Sequence, residues 1–219
     1  SVPVDSLKIS RLNLLGYDYS DIMAAGTFSD QAFDGRIICN DPNVNFIFQG
    51  LFNLSKRSDN ARYRFFASVG YADLHALNID PREVSVVSLE SVNANYRRVS
   101  RGDLTGTVNA TGLVLENETG RHGIGDFHVE SRSGDDNYLV RLTSAFADGT
   151  YSGSRAPGAF IKDIQDITTR KELYALFGHP EKGWDGSDYR IDFNLHDSRD
   201  LLSFAAPGAY IADSISIRL

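Results

Sequence analysis

Five histidines, His75, His122, His128, His179 and His196, are the side chains best suited to holding a metal or passing a proton. Neighbours in this set stand between 6 and 51 residues apart. No pair has the i, i+2 spacing of one strand face or the i, i+4 spacing of one helix face that a local ligand pair would need. Carboxylates are abundant, and Asp34, Glu90, Glu130, Asp192 and Asp213 fall in or beside strand-like stretches. A glycosidase needs two acids facing each other about 5–10 Å apart, and the order of residues singles out no two of these. Gly149-Thr150-Tyr151-Ser152-Gly153 approaches a nucleophile elbow, but the serine is displaced by one position and no helix start follows it. It reads as a strand end and turn. Gly134-Asp135-Asp136-Asn137 lacks the spaced ligands and distal glutamate of a calcium loop and reads as a hairpin. Glycine-rich phosphate loops, His-Glu-x-x-His and Cys-x-x-Cys are absent. The expectation is a chain that is not an enzyme and carries no metal and no cofactor.

Alternation dominates the rest of the sequence. Tyr63, Phe65, Ala67, Val69 and Tyr71 share one face of a strand, as do Phe46, Phe48, Gly50, Phe52 and Leu54. The period returns in Tyr138, Val140, Leu142, Ser144 and Phe146, and again in Tyr189, Ile191, Phe193 and Leu195. Further strands are expected at 7–14, 19–28, 33–40, 84–95, 103–115, 126–131 and 209–219, about eleven in all. Asp41-Pro42-Asn43 and the segments 116–120 and 133–137 carry the residues that reverse a chain. Asp34-Gly35 and Asp148-Gly149 also read as turns. Such short connections favour an antiparallel meander.

Two or three short helices interrupt the pattern. Phe160, Ile161, Ile164 and Ile167 recur at helical spacing after Pro157, and Thr169-Arg170-Lys171-Glu172 resembles a capping box ahead of Leu173, Leu176 and Phe177. Together they define a helical insertion at 157–177. A third helix is expected from Ser198 to Phe204, and 73–77 suggests one more turn. Helices among so many strands usually cover a sheet edge or plug an open end. With no internal shift in composition, residues 1–219 read as a single β domain.

The net charge is −7, with 22 basic residues dispersed among 29 acids. A nucleic-acid partner would require a clustered basic stripe; the densest run, Arg97, Arg98 and Arg101, is short and reads as a solvated loop. Cys39 stands alone and has the parity of a small buried apolar residue. Three glycosylation sequons, at Asn53, Asn109 and Asn117, carry no weight without a secretory context. The chain begins with Ser1, and no apolar run reaches the ~18 residues that span a bilayer. These features suggest a piece of a longer protein. Thirteen phenylalanines and ten tyrosines supply more apolar strand surface than turns and edges can absorb. Either two sheets hide it in a sandwich, or one curved sheet lines a groove with it. In a groove, lipid acyl chains are the natural ligand, since each methylene removed from water gains about 0.8 kcal/mol.

Phe33-Asp34-Gly35-Arg36-Ile37, followed by Asp41-Pro42-Asn43-Val44-Asn45-Phe46, resembles the FDG-x-DPN-x-F hairpin of the TamB/AsmA-like family, the translocation and assembly module proteins. Phe48-Gln49-Gly50 through Leu54-Ser55 is similar to its continuation. Ala72-Asp73-Leu74-His75-Ala76-Leu77-Asn78-Ile79 is the most specific matching segment. Asp103–Gly106 and Phe127–Gly134 are similar to later strands of the family, and Ala147–Gly153 resembles its second Asp-Gly hairpin. The resemblance implies a mainly β fold, a long antiparallel meander curved into a U-shaped β-taco groove. It also implies a periplasmic segment of a Gram-negative cell-envelope protein, anchored to the inner membrane by a segment not present here. Its partners would be phospholipid acyl chains and an outer-membrane barrel protein of the BamA/TamA type. Its work would be lipid transport and outer-membrane protein assembly. In such a groove, shared parity within each strand makes Phe46, Phe48, Phe52, Phe65, Val69, Val140, Leu142 and Phe146 the expected lining. The alternative is a β-sandwich carbohydrate-binding or adhesion module.

Overall fold

The computed structural model describes residues 2–53, 61–100, 103–134, 137–154, 156–157, 189–196, 199–205 and 215–218. They form fourteen strands and one short helix: β1 (Val2–Ile9), β2 (Leu12–Leu14), β3 (Tyr17–Tyr19), β4 (Ile22–Ser29), β5 (Ala32–Asp41), β6 (Val44–Asn53), β7 (Arg62–Asp73), β8 (Val86–Ser100), β9 (Asp103–Asn117), β10 (Gly120–Gly134), β11 (Asn137–Ser144), β12 (Ala147–Gly153), β13 (Tyr189–Leu195), α1 (Arg199–Ala205) and β14 (Ile215–Arg218). Twelve strands make one antiparallel sheet in the order β1-β4-β5-β6-β7-β8-β9-β10-β11-β12-β13-β14, open at both edges. The only departure from sequence order is at β1, which pairs with β4 because β2 and β3 leave the sheet as a separate two-stranded hairpin.

The turns have the chemistry expected of them. Pro42 and Asn43 join β5 to β6, with Asp41 opposite Val44, and Glu118-Thr119 join β9 to β10, with Asn117 opposite Gly120. Several readings need correcting. Leu7–Leu14 is not one strand: the chain leaves the sheet after Ile9 and turns back through Leu15 and Gly16, both at positive φ. Asp34-Gly35 and Asp148-Gly149 lie inside β5 and β12. Asp-Gly is a turn signal only where the local hydrogen bonds close a turn, and here ladders on both sides claim the backbone. For the same reason Gly149–Gly153 is strand, and Arg97 and Arg98 belong to β8. Two or three helices were expected, whereas one is found among the described residues. It is α1, on the segment anticipated from Ser198 to Phe204. Except for Pro157, the insertion anticipated at 157–177 lies outside the described residues.

Core packing is thin for so much apolar sequence. The buried apolar side chains are small or mid-sized, among them Ile22, Cys39, Val44, Ala72 and Leu77, and no phenylalanine among the described residues is buried. Those five pack together at one end of the strands, with Ile9, Tyr17, Tyr19, Phe46, Val69 and Leu74 against them. A closed sandwich would place the large aromatic side chains in its interior. One principal sheet without buried phenylalanines is a different architecture.

Candidate functional site

Register determines which side chains meet, because residues directly opposite in neighbouring strands share a face of the sheet. One row runs Leu7, Ala24, Ile37, Phe48, Ala67, Val92, Ala110, Phe127 across β1 and β4–β10. Two residues further along each strand lies Gly26, Gly35, Gly50, Phe65, Ala94, Val108, Val129, Leu142, Gly149, Phe193. A third row is Phe28, Phe33, Phe52, Tyr63, Tyr96, Gly106, Ser131, Val140, Tyr151, Ile191. The opposite face is mainly polar, apart from Phe66 and a short row of Met23, Ile38 and Ile47; one of its rows is Asp34, Leu51, Arg64, Asn95, Thr107, Glu130, Arg141, Thr150, Asp192. Strand parity is thus kept in step from β4 to β13, giving one apolar and one mainly polar face.

On the apolar face an open trough of about 560 Å³ is lined by Leu7, Ala24, Phe28, Phe33, Ile37, Phe46, Phe48 and Phe52. Gly26, Gly35 and Gly50 lie in register between its two walls and contribute no side chains, which leaves the depression. The Phe33 ring leans over Gly35, 2.7 Å from where a β-carbon there would sit. Phe48, Phe52, Phe65 and Tyr63 continue the wall as an aromatic cluster. Ring centroids lie 5.2 Å apart for Phe48–Phe65, 6.3 Å for Phe48–Phe52, 6.2 Å for Phe52–Phe65 and 5.3 Å for Phe52–Tyr63. These are ordinary aromatic packing distances, yet Phe28 and Phe52 remain exposed.

Of the eight residues anticipated as a lining, Phe46, Phe48 and Phe52 border this trough, and Phe65 packs on the latter two. Val69 stands opposite Phe46 and packs on the buried end of the sheet. Val140 and Leu142 belong to the rows of Phe52 and Phe65 but lie in β11, well away from the trough. Phe146 falls in the connection between β11 and β12, because β11 ends at Ser144. Sequence reasoning missed Leu7, Ala24, Phe28, Phe33 and Ile37. Their parity within β1, β4 and β5 was readable, but not the register that sets those strands beside β6.

The trough is closed at one end. A turn over residues 74–80 folds back on the sheet: Leu77 N donates to the Asp73 carbonyl, Ala76 N to Asp73 Oδ1, and Ile79 N to the Leu74 carbonyl. This places Leu77 among Ile22, Cys39 and Val44. Beside it the β2–β3 hairpin brings Tyr17 and Tyr19 onto the same cluster, and Asp41 secures it. The Asp41 carboxylate accepts from Tyr17 Oη at 2.5 Å, Ser20 N at 2.8 Å, Ser20 Oγ at 2.7 Å and Asn43 N at 2.9 Å. Burial works to raise its pKa, but these hydrogen bonds outweigh burial and hold the carboxyl below the ordinary aspartate value. Burial and the neighbouring Asp41 both push the Tyr17 hydroxyl up.

The helix α1 packs at the same end of the strands, against β9 and β10. Its last carbonyls are held from outside: Arg82 Nη1 donates to the Phe204 carbonyl at 2.8 Å, and Asn117 Nδ2 to that of Ser203 at 2.9 Å. The Arg82 guanidinium also lies 4.2 Å from the Phe204 ring centroid. Asp80 fixes Arg82 through paired oxygens, and those bonds hold the Asp80 carboxyl far below its usual value. His122, buried here, bonds Asn117 and Thr119 and stands 3.8 Å from Asp200 of α1.

Chemistry-bearing side chains are dispersed. Glu130 and Asp192 share a polar row three strands apart, or about 14 Å at normal strand spacing. Asp34 is farther away. Among the described residues no three metal-ligating side chains converge, and no described helix is long and apolar enough to cross a membrane. No protein-family description, curated protein or solved structure matches the chain.

Proposed function

We propose that this chain is a segment of a TamB/AsmA-like cell-envelope protein that shields phospholipid acyl chains along the apolar face of its sheet. The carrying observation is the trough of about 560 Å³ bounded only by Leu7, Ala24, Phe28, Phe33, Ile37, Phe46, Phe48 and Phe52. Its size is that of a small-ligand site, roughly 300–1,000 Å³, and it offers an incoming group nothing to hydrogen-bond with. An acyl chain suits such a surface because each methylene buried gains about 0.8 kcal/mol without a polar partner. In this reading the sheet curves into a U around the chain, the head group stays at the open seam, and no bond chemistry occurs. The shielding face continues beyond the trough through Phe65 to Val140 and Leu142, which stand in the same rows of the sheet. In the full-length protein the setting is the periplasm, with an inner-membrane anchor and an outer-membrane barrel partner, and lipid transport accompanies outer-membrane protein assembly.

The test is native mass spectrometry and lipid extraction of the purified 219-residue chain. Phospholipid should co-purify, and Phe48→Asp or Phe52→Asp should remove most of it. Phe66→Asp, on the polar face opposite Gln49 and Asn93, should leave it in place. Absence of bound lipid, or saturable binding of a soluble glycan in its stead, would overturn the proposal.

A further inference from the structure

The polar face carries a second concavity with quite different chemistry. It consists of two adjoining troughs. One, of about 430 Å³, is lined by Leu51, Arg62, Arg64, Asn95, Tyr96, Arg97, Thr105 and Gly106. The other, of about 580 Å³, shares Arg64 and Asn95 and adds the polar Gln49, Asn93, Thr107 and Asn109 beside Gly50, Phe65, Phe66 and Ala94. Arg62 and Arg64 come from β7 and Arg97 from β8, and Arg62 stands directly opposite Arg97 in the ladder. Like charges placed opposite each other on a sheet are destabilising. No carboxylate lines either trough, and none of the three guanidiniums has an ion-pair partner among the described residues. In the same row as Arg64 the nearest acids are Asp34 and Glu130, each two strands or more away, and Glu130 is held by Arg132 at 2.6 Å. In an acidic chain of net charge −7, three guanidiniums gathered in one concavity with no ion pair among the described residues run against the overall balance.

The backbone shapes this place. Gly50 in β6 and Gly106 in β9 flank the β7–β8 pair on either side, with φ of +137° and +148°. A β-carbon at Gly50 would lie 2.2 Å from the Arg64 carbonyl oxygen, and one at Gly106 would lie 2.0 Å from that of Asn95. Only glycine permits both approaches. They fall on the two residues common to both troughs. The two flanking strands are therefore drawn in against the pair that carries the arginines.

We infer that the β7–β8 concavity on the polar face is a binding site for a phosphate-bearing ligand, gripped by Arg62, Arg64 and Arg97 and oriented by the amides of Asn93 and Asn95. Guanidinium forks match the spacing of phosphate oxygens, and three of them supply the charge that a dianionic or trianionic group requires. The amide and hydroxyl side chains around them donate to the remaining oxygens. This site lies across the sheet from the apolar trough, so it cannot hold the head group of a lipid whose tails lie there. It stands independently of the acyl-chain proposal.

Two sources of phosphate are separable by experiment. Calorimetric titration of the 219-residue chain with inorganic pyrophosphate at low salt reports a soluble ligand. Flotation with phosphatidylglycerol vesicles, against phosphatidylcholine vesicles, reports a membrane head group. Arg64→Gln and Arg97→Gln should each weaken the positive arm at least tenfold, and raising salt should do the same. Arg141→Gln, in the Arg64 row but four strands away, should leave it unchanged. Circular dichroism of all three variants confirms that they fold. Saturable pyrophosphate binding with that mutant pattern assigns a soluble phosphate compound. Vesicle binding alone with that pattern assigns a head group. Binding in neither arm, or equal weakening by Arg141→Gln, overturns the inference.

Discussion

The Asp41 carboxylate is the main hydrogen-bonding anchor of the β2–β3 hairpin on the sheet. Asp41 is 3% exposed and accepts four hydrogen bonds, three of them from Tyr17 and Ser20. Asp41→Ala leaves those donors without their acceptor and should cost about 1–3 kcal/mol in urea unfolding. Its folded pKa is depressed, so its contribution is complete above the unfolded value near 4 and is lost as pH falls through the folded one. Asp80 acts in the same direction. Unfolding midpoints should therefore fall below about pH 4, and Asp41→Asn should flatten that decline. At this scale the sequence was half legible. Asp41-Pro42-Asn43 announced a turn, and the turn is there. That its aspartate also clamps a hairpin depended on partners 24 and 21 residues upstream, in a stretch where strands were expected at 7–14 and 19–28 and no separate hairpin between them.

Among elements, the closing turn at 74–80 and the glycine-marked kinks make the sharpest expectations. Leu77 is 2% exposed at the centre of the packed end. Leu77→Ala should cost about 2–5 kcal/mol, the usual range for a buried leucine, and should loosen the β2–β3 hairpin in hydrogen exchange. Gly50→Ala forces a β-carbon onto the Arg64 carbonyl and should lower stability by roughly 1–3 kcal/mol. Gly134→Ala meets nothing within 4 Å and should fall within about 0.5 kcal/mol of the parent; thermal unfolding distinguishes the two. Strand positions were legible because one face of each strand is apolar and the period is two. Asp34-Gly35 and Asp148-Gly149 misled because a dipeptide carries its turn preference regardless of whether neighbouring strands have already claimed its backbone. Phe146 misled in the opposite way: alternation continued one step past the residue where pairing stops.

At the level of the molecule, the open apolar face should bind an environment-sensitive apolar dye in the native state, and Phe48→Asp should diminish the fluorescence. Protection should peak in β8, β9 and β10, each fifteen residues long and paired on both sides. Slow amide exchange concentrated there, with β1 exchanging fast at its free edge, would bear this out. Which strands neighbour one another was legible from the short turns. Whether their shared apolar face would be covered was not, since alternation is the same in a sandwich and an open sheet. The order of the strands has one more consequence. From β5 onward every described strand pairs only with the strands before and after it in sequence, so length is a free parameter of this design. Each inserted hairpin would lengthen the sheet by about 10 Å without rerouting any connection. Gene duplication could thus set the reach of such a protein like marks added to a ruler.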